Sequence, residues 1–385
     1  MRYSRVIAIC LAGTTYVSLL LARGWRGLDQ IASDPGYIWI DERVSGGWNI
    51  LKLRPYLHLD SPLIASVVSS LPREWHGVTV TLIAHTTWLV CALTIFTVLR
   101  SRAFSAGTSF IGGLLLVTTP WAAQSAIGNF GNIRWPILVA AAVVLSAEVA
   151  HGRPRTAPMV IASAVATLSN PLHPLLFAPL LLGWKILPSK HRVPLAVAAA
   201  PLTVGLLMNL VNANAGGHSA KVLSFWEGAG LFWVSGQLLP VAVALTGLAL
   251  SARSFRSWSE RQVFAVSLLL MVVLSATASY RLGGIADRYY VAPACLAAIG
   301  TMVALVEFRS RSANIAKVLA VVLSVMLAIP TVRWFFIFPY LRSAPAWSAQ
   351  VENAREQCTT GEIRYVELVA SSGDSRTDPI SCDDL

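Results

Sequence analysis

Asn170-Pro171-Leu172-His173-Pro174 interrupts the apolar stretch Pro158–Leu187, and the number of times that stretch crosses a bilayer decides the fold. Two prolines so close together remove backbone donors and stop a helix. The stretch therefore reads either as one broken crossing or as two short ones joined by a tight turn. The flanks choose between them. His151–Arg155 and Lys185–Arg192 are both basic, and basic loops stay on the cytoplasmic face, so the chain must leave and return within the stretch.

Composition agrees with a bilayer as the solvent. Of 385 residues, 55% are hydrophobic and 13% are charged, where a soluble domain carries about a quarter. The mean hydropathy is +0.61. The fold class expected is an all-α polytopic membrane protein. A net charge of +11 then asks which face holds the cations, and no nucleic-acid partner is expected.

Apolar runs at Val6–Ala22, Gly77–Leu99, Phe104–Ala122, Trp135–Ala150, twice within Pro158–Leu187, and at Val193–Val211, Ala229–Leu250, Val263–Ala278, Tyr290–Val306 and Val318–Phe338 predict about eleven transmembrane helices. Arg2 and Arg5 precede the first, and Leu20-Leu21-Ala22 lacks a small-x-small cleavage pattern. That run reads as an uncleaved signal anchor. The cytoplasmic loops then hold fifteen of the thirty cations, Arg100, Arg102, Arg153 and Arg155 among them. Against these stand only Glu148, Glu260 and Glu307, a balance of +12, while the outer face comes to −1. A single crossing at Pro158–Leu187 would swap the later loops and erase this asymmetry. The expected organisation is a transmembrane domain over 1–338, with a first outer loop at 23–76, and a small exoplasmic tail over 339–385. The protein is expected in the cell membrane, multi-pass, its N-terminus cytoplasmic and its C-terminus extracytoplasmic.

Cys358 and Cys382 both lie in that tail, where an exported compartment favours a disulfide closing a small subdomain; the alternative is a loose tail with incidental thiols. Cys10, Cys91 and Cys295 sit inside apolar runs and read as small hydrophobes.

The first outer loop opens with Asp34-Pro35-Gly36-Tyr37-Ile38-Trp39-Ile40-Asp41-Glu42. Asp29, Asp34, Asp41, Glu42, Asp60 and Glu74 put six of the nineteen carboxylates within fifty residues. Long loops carrying such groups are often functional, although loops between membrane helices are also polar simply because they face water. Within it Ser61-Pro62 and Leu63–Val68, closed by Pro72, are too short to span and predict an interfacial helix capped by Asp60 or Ser61. The chain has no Gly-rich phosphate loop ending in Gly-Lys-Ser/Thr, no His-Glu-x-x-His, no Cys-x-x-Cys and no Gly-x-Ser-x-Gly.

Polar groups instead gather at the outer ends of the runs. Arg134 in Gly128–Pro136 is placed to bind a phosphate, or to snorkel beside a belt tryptophan, Trp135. Asn170–Pro174 presents His173 from a helix break, and such breaks face cavities because freed backbone groups cannot face lipid. Tyr280–Tyr290 offers Arg281 and Arg288 to a phosphate or diphosphate head group, unless Asp287 merely neutralises Arg288. His218, Lys221 and Glu227 form a weaker group.

One signal anchor, a long acidic outer loop with an interfacial helix, and about ten further spans resemble the GT-C class of polyprenyl-phosphate-sugar-dependent glycosyltransferases. Shorter stretches are similar to bacterial members of that class: Pro55-Tyr56-Leu57-His58-Leu59, Gly131-Asn132-Ile133-Arg134-Trp135, Asn170-Pro171 and Asp287-Arg288-Tyr289-Tyr290. Asp41-Glu42 resembles the Asp-Glu pair of protein mannosyltransferase-like members. Where an arginine often follows the Tyr-Leu-His-Leu stretch, this chain has Asp60-Ser61-Pro62. The resemblance implies Asp41, Asp34 and Glu42 as catalytic residues, and His58, Arg134, His173, Arg281, Arg288 and Tyr289 as substrate-binding ones. It implies a polyprenyl-phosphate-linked sugar donor, a cell-envelope glycan or lipid acceptor, contact with membrane lipid, and a possible divalent metal ion. The residue types fit independently, since sugar transfer needs a carboxylate for the acceptor hydroxyl and cations for the departing phosphate. A lipid-linked sugar flippase or transporter is the second reading, although charges inside spans are nearly absent. A non-catalytic envelope assembly protein is the third.

Overall fold

The computed structural model describes residues 2–23, 29, 60–118, 132–213, 258–281 and 291–309, parts of 316–324, and 346–384 apart from 362, 371–374 and 377–378. Helix dominates. Among the described residues the α-helices are α1 Arg2–Arg23, α2 Asp60–Val68, α3 His76–Ser101, α4 Ala106–Thr118, α5 Arg134–Ala150, α6 Thr156–Ser169, α7 Phe177–Ile186, α8 Arg192–Ala213, α9 Glu260–Arg281, α10 Val291–Arg309 and α11 Trp347–Thr359.

The bundle is built around α5 and α10, which are apolar on every side and buried along almost their whole length. Alanines at 140, 141 and 142 let neighbouring backbones approach α5 closely. Gly113 of α4 serves the same end. A Cβ there would stand 2.8 Å from the Ala92 carbonyl of α3 and 2.8 Å from Leu11 Cδ2 of α1. Ile9, Ile161 and Val193, all more than 60% exposed, belong to a ring of large apolar side chains on the outer faces of α1, α6 and α8. Water would penalise such a surface, and lipid would not.

Contacts at the helix ends fix the directions of travel. Arg102, just past α3, reaches Glu148 near the end of α5, and Arg155, just before α6, reaches the same carboxylate. His151 approaches Glu260 at the start of α9 at 3.4 Å. One end of the bundle thus collects the C-terminal ends of α3 and α5 and the N-terminal ends of α6 and α9. At the opposite end Asn170, which closes α6, bonds to Arg134, which opens α5.

The break at Asn170–Pro174 separates two helices, as the prolines require. Asn170 is extended, His173–Leu176 forms one 3₁₀ turn, and α7 follows. Eleven full-length spans are not what the described residues show, however. Among the described residues three helical segments are long and apolar enough to cross a membrane: Arg73–Ser101, Ser189–Leu210 and Val291–Arg309. The thirteen residues of α4 rise only about 20 Å, and α6 and α7 about 21 and 15 Å, against a hydrocarbon core of about 30 Å. The cause in α6 and α7 is local, since the turn at 170–176 and Pro188 take residues from both helices. The expected spans Ala229–Leu250 and most of Val318–Phe338 lie outside the described residues, and α2 and α11 are not spans at all.

The tail forms its own small core. Trp347, Val351 and Ala354 of α11 pack with Val366, Leu368 and Ile380, and with Ala65 and Val68 of α2 and Val80 of α3. Two short antiparallel pairs complete it: β1 Tyr365–Val366 with β4 Ile380–Ser381, and β2 Val369–Ala370 with β3 Ser375–Arg376. Cys358 and Cys382 are joined, with Cα atoms 5.5 Å apart. The predicted interfacial helix is α2, and it is partly absorbed into this core, while Leu63 and Val67 remain exposed.

This subdomain is clasped to the first loop. Trp347 Nε1 donates to the Arg73 carbonyl at 2.8 Å, Arg355 Nη2 pairs with Glu74 at 2.9 Å, and the Ser348 amide and hydroxyl both donate to Asp29. Asp29 follows α1, and Arg73 and Glu74 precede α3. The tail therefore sits at the end of the bundle that holds Arg134 and Asn170.

Candidate functional site

Arg134, Trp135 and Pro136 open α5, where a proline in the first turn removes no needed donor. Asn132 Oδ1 accepts the Trp135 indole N–H at 3.2 Å, and the Arg134 guanidinium lies over that indole ring, 5.1 Å from its centroid. Arg134 is 8% exposed, so this charge is held at the helix mouth within the protein. A guanidinium at a helix N-terminus adds to the positive end of the helix dipole, and the pair favours an anion.

Asn170 ties the second element to the first. Its Nδ2 donates to the Arg134 carbonyl at 3.0 Å, and its Oδ1 accepts the Leu172 amide at 2.8 Å, an Asx turn that compensates for the prolines. The Asn170 carbonyl accepts both the His173 amide, at 3.0 Å, and His173 Nδ1, at 2.9 Å. His173 is fully buried, and its other edge faces the α8 backbone at Leu202 and Gly205. The groups found at this end are a guanidinium and an indole at the start of α5, the amides of Asn132 and Asn170, and an imidazole in the break after α6.

Gly205 is what admits the ring. A Cβ there would fall 2.3 Å from Thr167 Cγ2 and 2.8 Å from His173 Nε2. Gly205→Ala is expected to cost about 1–3 kcal/mol and to shift His173, measured by thermal unfolding in detergent and by imidazole NMR. An unchanged melting temperature would show that α8 does not press on the histidine.

Of the sequence-predicted site residues, then, Arg134 and His173 both bond to Asn170, Arg134 through its backbone carbonyl. Asp34, Asp41, Glu42, His58, Arg288 and Tyr289 lie outside the described residues, as do His218, Lys221 and Glu227. Arg281 ends α9, with its side chain outside them. Among the described residues no three His, Cys, Asp or Glu side chains stand close enough to hold a metal ion, so the possible divalent ion of the first loop has no described ligands.

The opposite end of the bundle carries a second charged group. Glu148, 3% exposed, accepts from Arg102 Nη2 and Arg155 Nη2, each at 2.6 Å, and from the Arg155 amide at 3.0 Å. The carboxylate raises Arg155, which caps α6, above the ordinary guanidinium range through hydrogen bonding and charge. Beside it a cavity of about 250 Å³ is lined by Arg102, Arg261, Glu260 and Glu307.

Sequence reasoning passed over His85. It is fully buried in α3, edge-on to Tyr16 of α1 with ring centroids 6.0 Å apart. A histidine inside the apolar run Gly77–Leu99 was itself the signal, because ionisable groups are rare in such runs.

No known family model matches the sequence, and no curated protein is significantly similar to it.

Proposed function

We propose that the chain is a membrane-embedded glycosyltransferase of GT-C-like layout, moving a sugar from a polyprenyl-phosphate donor to a cell-envelope glycan or lipid on the outer face. One observation carries the reading: the Arg134–Asn170–His173 cluster shares an end of the bundle with the clasp between tail and first loop. The carboxylates Asp34, Asp41 and Glu42 fall in sequence between Asp29 and Asp60, both of which belong to that end. An acid-rich loop and a buried cation are the two halves that sugar transfer needs. In the reaction a carboxylate takes the acceptor hydroxyl proton and the oxygen attacks the anomeric carbon. The sugar–phosphate bond breaks, and Arg134 steadies the departing polyprenyl phosphate.

The decisive assay supplies a labelled sugar on polyprenyl phosphate to purified protein in lipid nanodiscs. Arg134→Ala should lower turnover by about 10²–10³-fold, and Arg134→Lys should restore only part, because an ammonium lacks the planar fork. Wild-type turnover in Arg134→Ala removes the clamp. Labelled lipid crossing proteoliposomes without any sugar transfer would replace this reading with the flippase.

The tail is proposed to lie outside the cell and the Arg102–Glu148 end within. Glu352→Cys, exposed on α11, should react with an impermeant maleimide in intact cells, whereas exposed Lys190→Cys should react only after permeabilisation. The reverse pattern inverts the topology and puts the proposed site on the wrong face for its donor.

A further inference from the structure

We infer that the tail subdomain carries a binding groove for a neutral, hydroxyl-rich glycan. Binding stands apart from transfer; only the role of that glycan as acceptor rests on the transferase reading. A groove of about 720 Å³ runs between one face of α11 and the strand segment that follows the helix, within the size range of small-molecule sites. Asn353 and Gln357, one turn apart, line its helix side, and Ile363, Tyr365 and Glu367 line its strand side.

Three features select the ligand. Both amides are exposed, and each carries a donor pair beside an acceptor, the pattern that bonds neighbouring hydroxyls. Tyr365 is 63% exposed on the outer face of β1, whereas Val366 beside it points into the core. An aromatic face held in water at a groove suits the apolar C–H face of a sugar ring. Among the described residues the lining holds no lysine or arginine, so phosphate and acidic polysaccharides find no cation there. The cation of this helix, Arg355, is turned away and spent on Glu74.

The groove is also held open. Gln350, one turn before Asn353, donates from Nε2 to the Val369 carbonyl at 3.1 Å and accepts the Val369 amide on Oε1 at 2.7 Å. Its amide thus fixes the strand segment to the helix. The disulfide from Cys358 to Cys382 ties the far end of the same helix to the turn just after β4. Such a preformed cleft binds without first ordering itself.

The test titrates full-length protein in nanodiscs with maltohexaose, mannohexaose and cellohexaose as neutral probes, and with an oligogalacturonate as the anionic one. Calorimetry and saturation-transfer NMR provide the readouts. At least one neutral hexasaccharide should bind, with transfer from the Tyr365 ring, and the oligogalacturonate should not. Tyr365→Ala should weaken binding by about tenfold or more. Asn353→Ala with Gln357→Ala should do likewise, with the disulfide intact by non-reducing mass spectrometry. Failure of all three neutral probes, equal binding by Tyr365→Ala, or tighter binding of the anionic probe would each overturn the inference. Glycan binding in a protein that transfers no sugar would leave the groove standing and remove the transferase. Transfer without groove binding would do the opposite.

Discussion

Asp41→Asn should reduce sugar transfer by about 10²–10⁴-fold while leaving the protein inserted and folded, the range that a positioned general base contributes. A hydroxyl attacks an anomeric carbon poorly until its proton has somewhere to go. An amide of the same shape cannot accept that proton at neutral pH. Asp41 stands beside Glu42 in the resemblance to an Asp-Glu pair, and Asp34 is the nearest other carboxylate. Comparing Asp34→Asn, Asp41→Asn and Glu42→Gln therefore locates the base. The loss should appear in kcat more than in KM, because the proton moves only in the transition state. Normal turnover in all three variants, on a verified donor, would mean that the base is not in this loop. The transferase reading would then lose its chemical half, leaving only the Arg134 cluster.

Glu148→Ala should destabilise the bundle by about 3–5 kcal/mol, the cost of leaving a buried charge without its partner. The stranded group is Arg102, whose side chain is 9% exposed and now bonds Glu148 at 2.6 Å. Arg155 matters less, because its side chain is 66% exposed and water can replace the carboxylate. Removing both ends, as Glu148→Leu with Arg102→Leu, should recover much of the loss. Unfolding in mixed detergent micelles measures all three proteins. A loss under about 1 kcal/mol in the single variant would show that water already reaches the pair.

Whatever depended on a few neighbouring residues could be read from the sequence. The prolines at 171 and 174 end α6 wherever the chain goes, and a second helix, α7, begins after the turn they impose. The ends of α3 and α5 fell within two residues of Gly77–Leu99 and Trp135–Ala150. Cys358 and Cys382 paired because no other cysteine lay in the tail. Helix length was harder, since the residues consumed by the 3₁₀ turn at 173–176 carry no hydropathy signal. The site was legible only in part. Arg134 and His173 were each visible as unusual residues, but what joins them is Asn170, bonded to a carbonyl 36 residues earlier. No local pattern encodes such a contact. His85 against Tyr16 is the same case, because the partner lies on another helix.

The clasp between tail and first loop has a consequence for how the protein is made. Ser348 bonds to Asp29 across 319 residues, and a ribosome adding roughly 5–20 residues per second needs about 16–64 s to travel that distance. Through that interval the nascent loop waits for a partner not yet synthesised. The clasp cannot close until Ser348 has been made, so a chain cut short anywhere before Trp347 would hold its earlier helices and still lack the lock at the Arg134 end of the bundle.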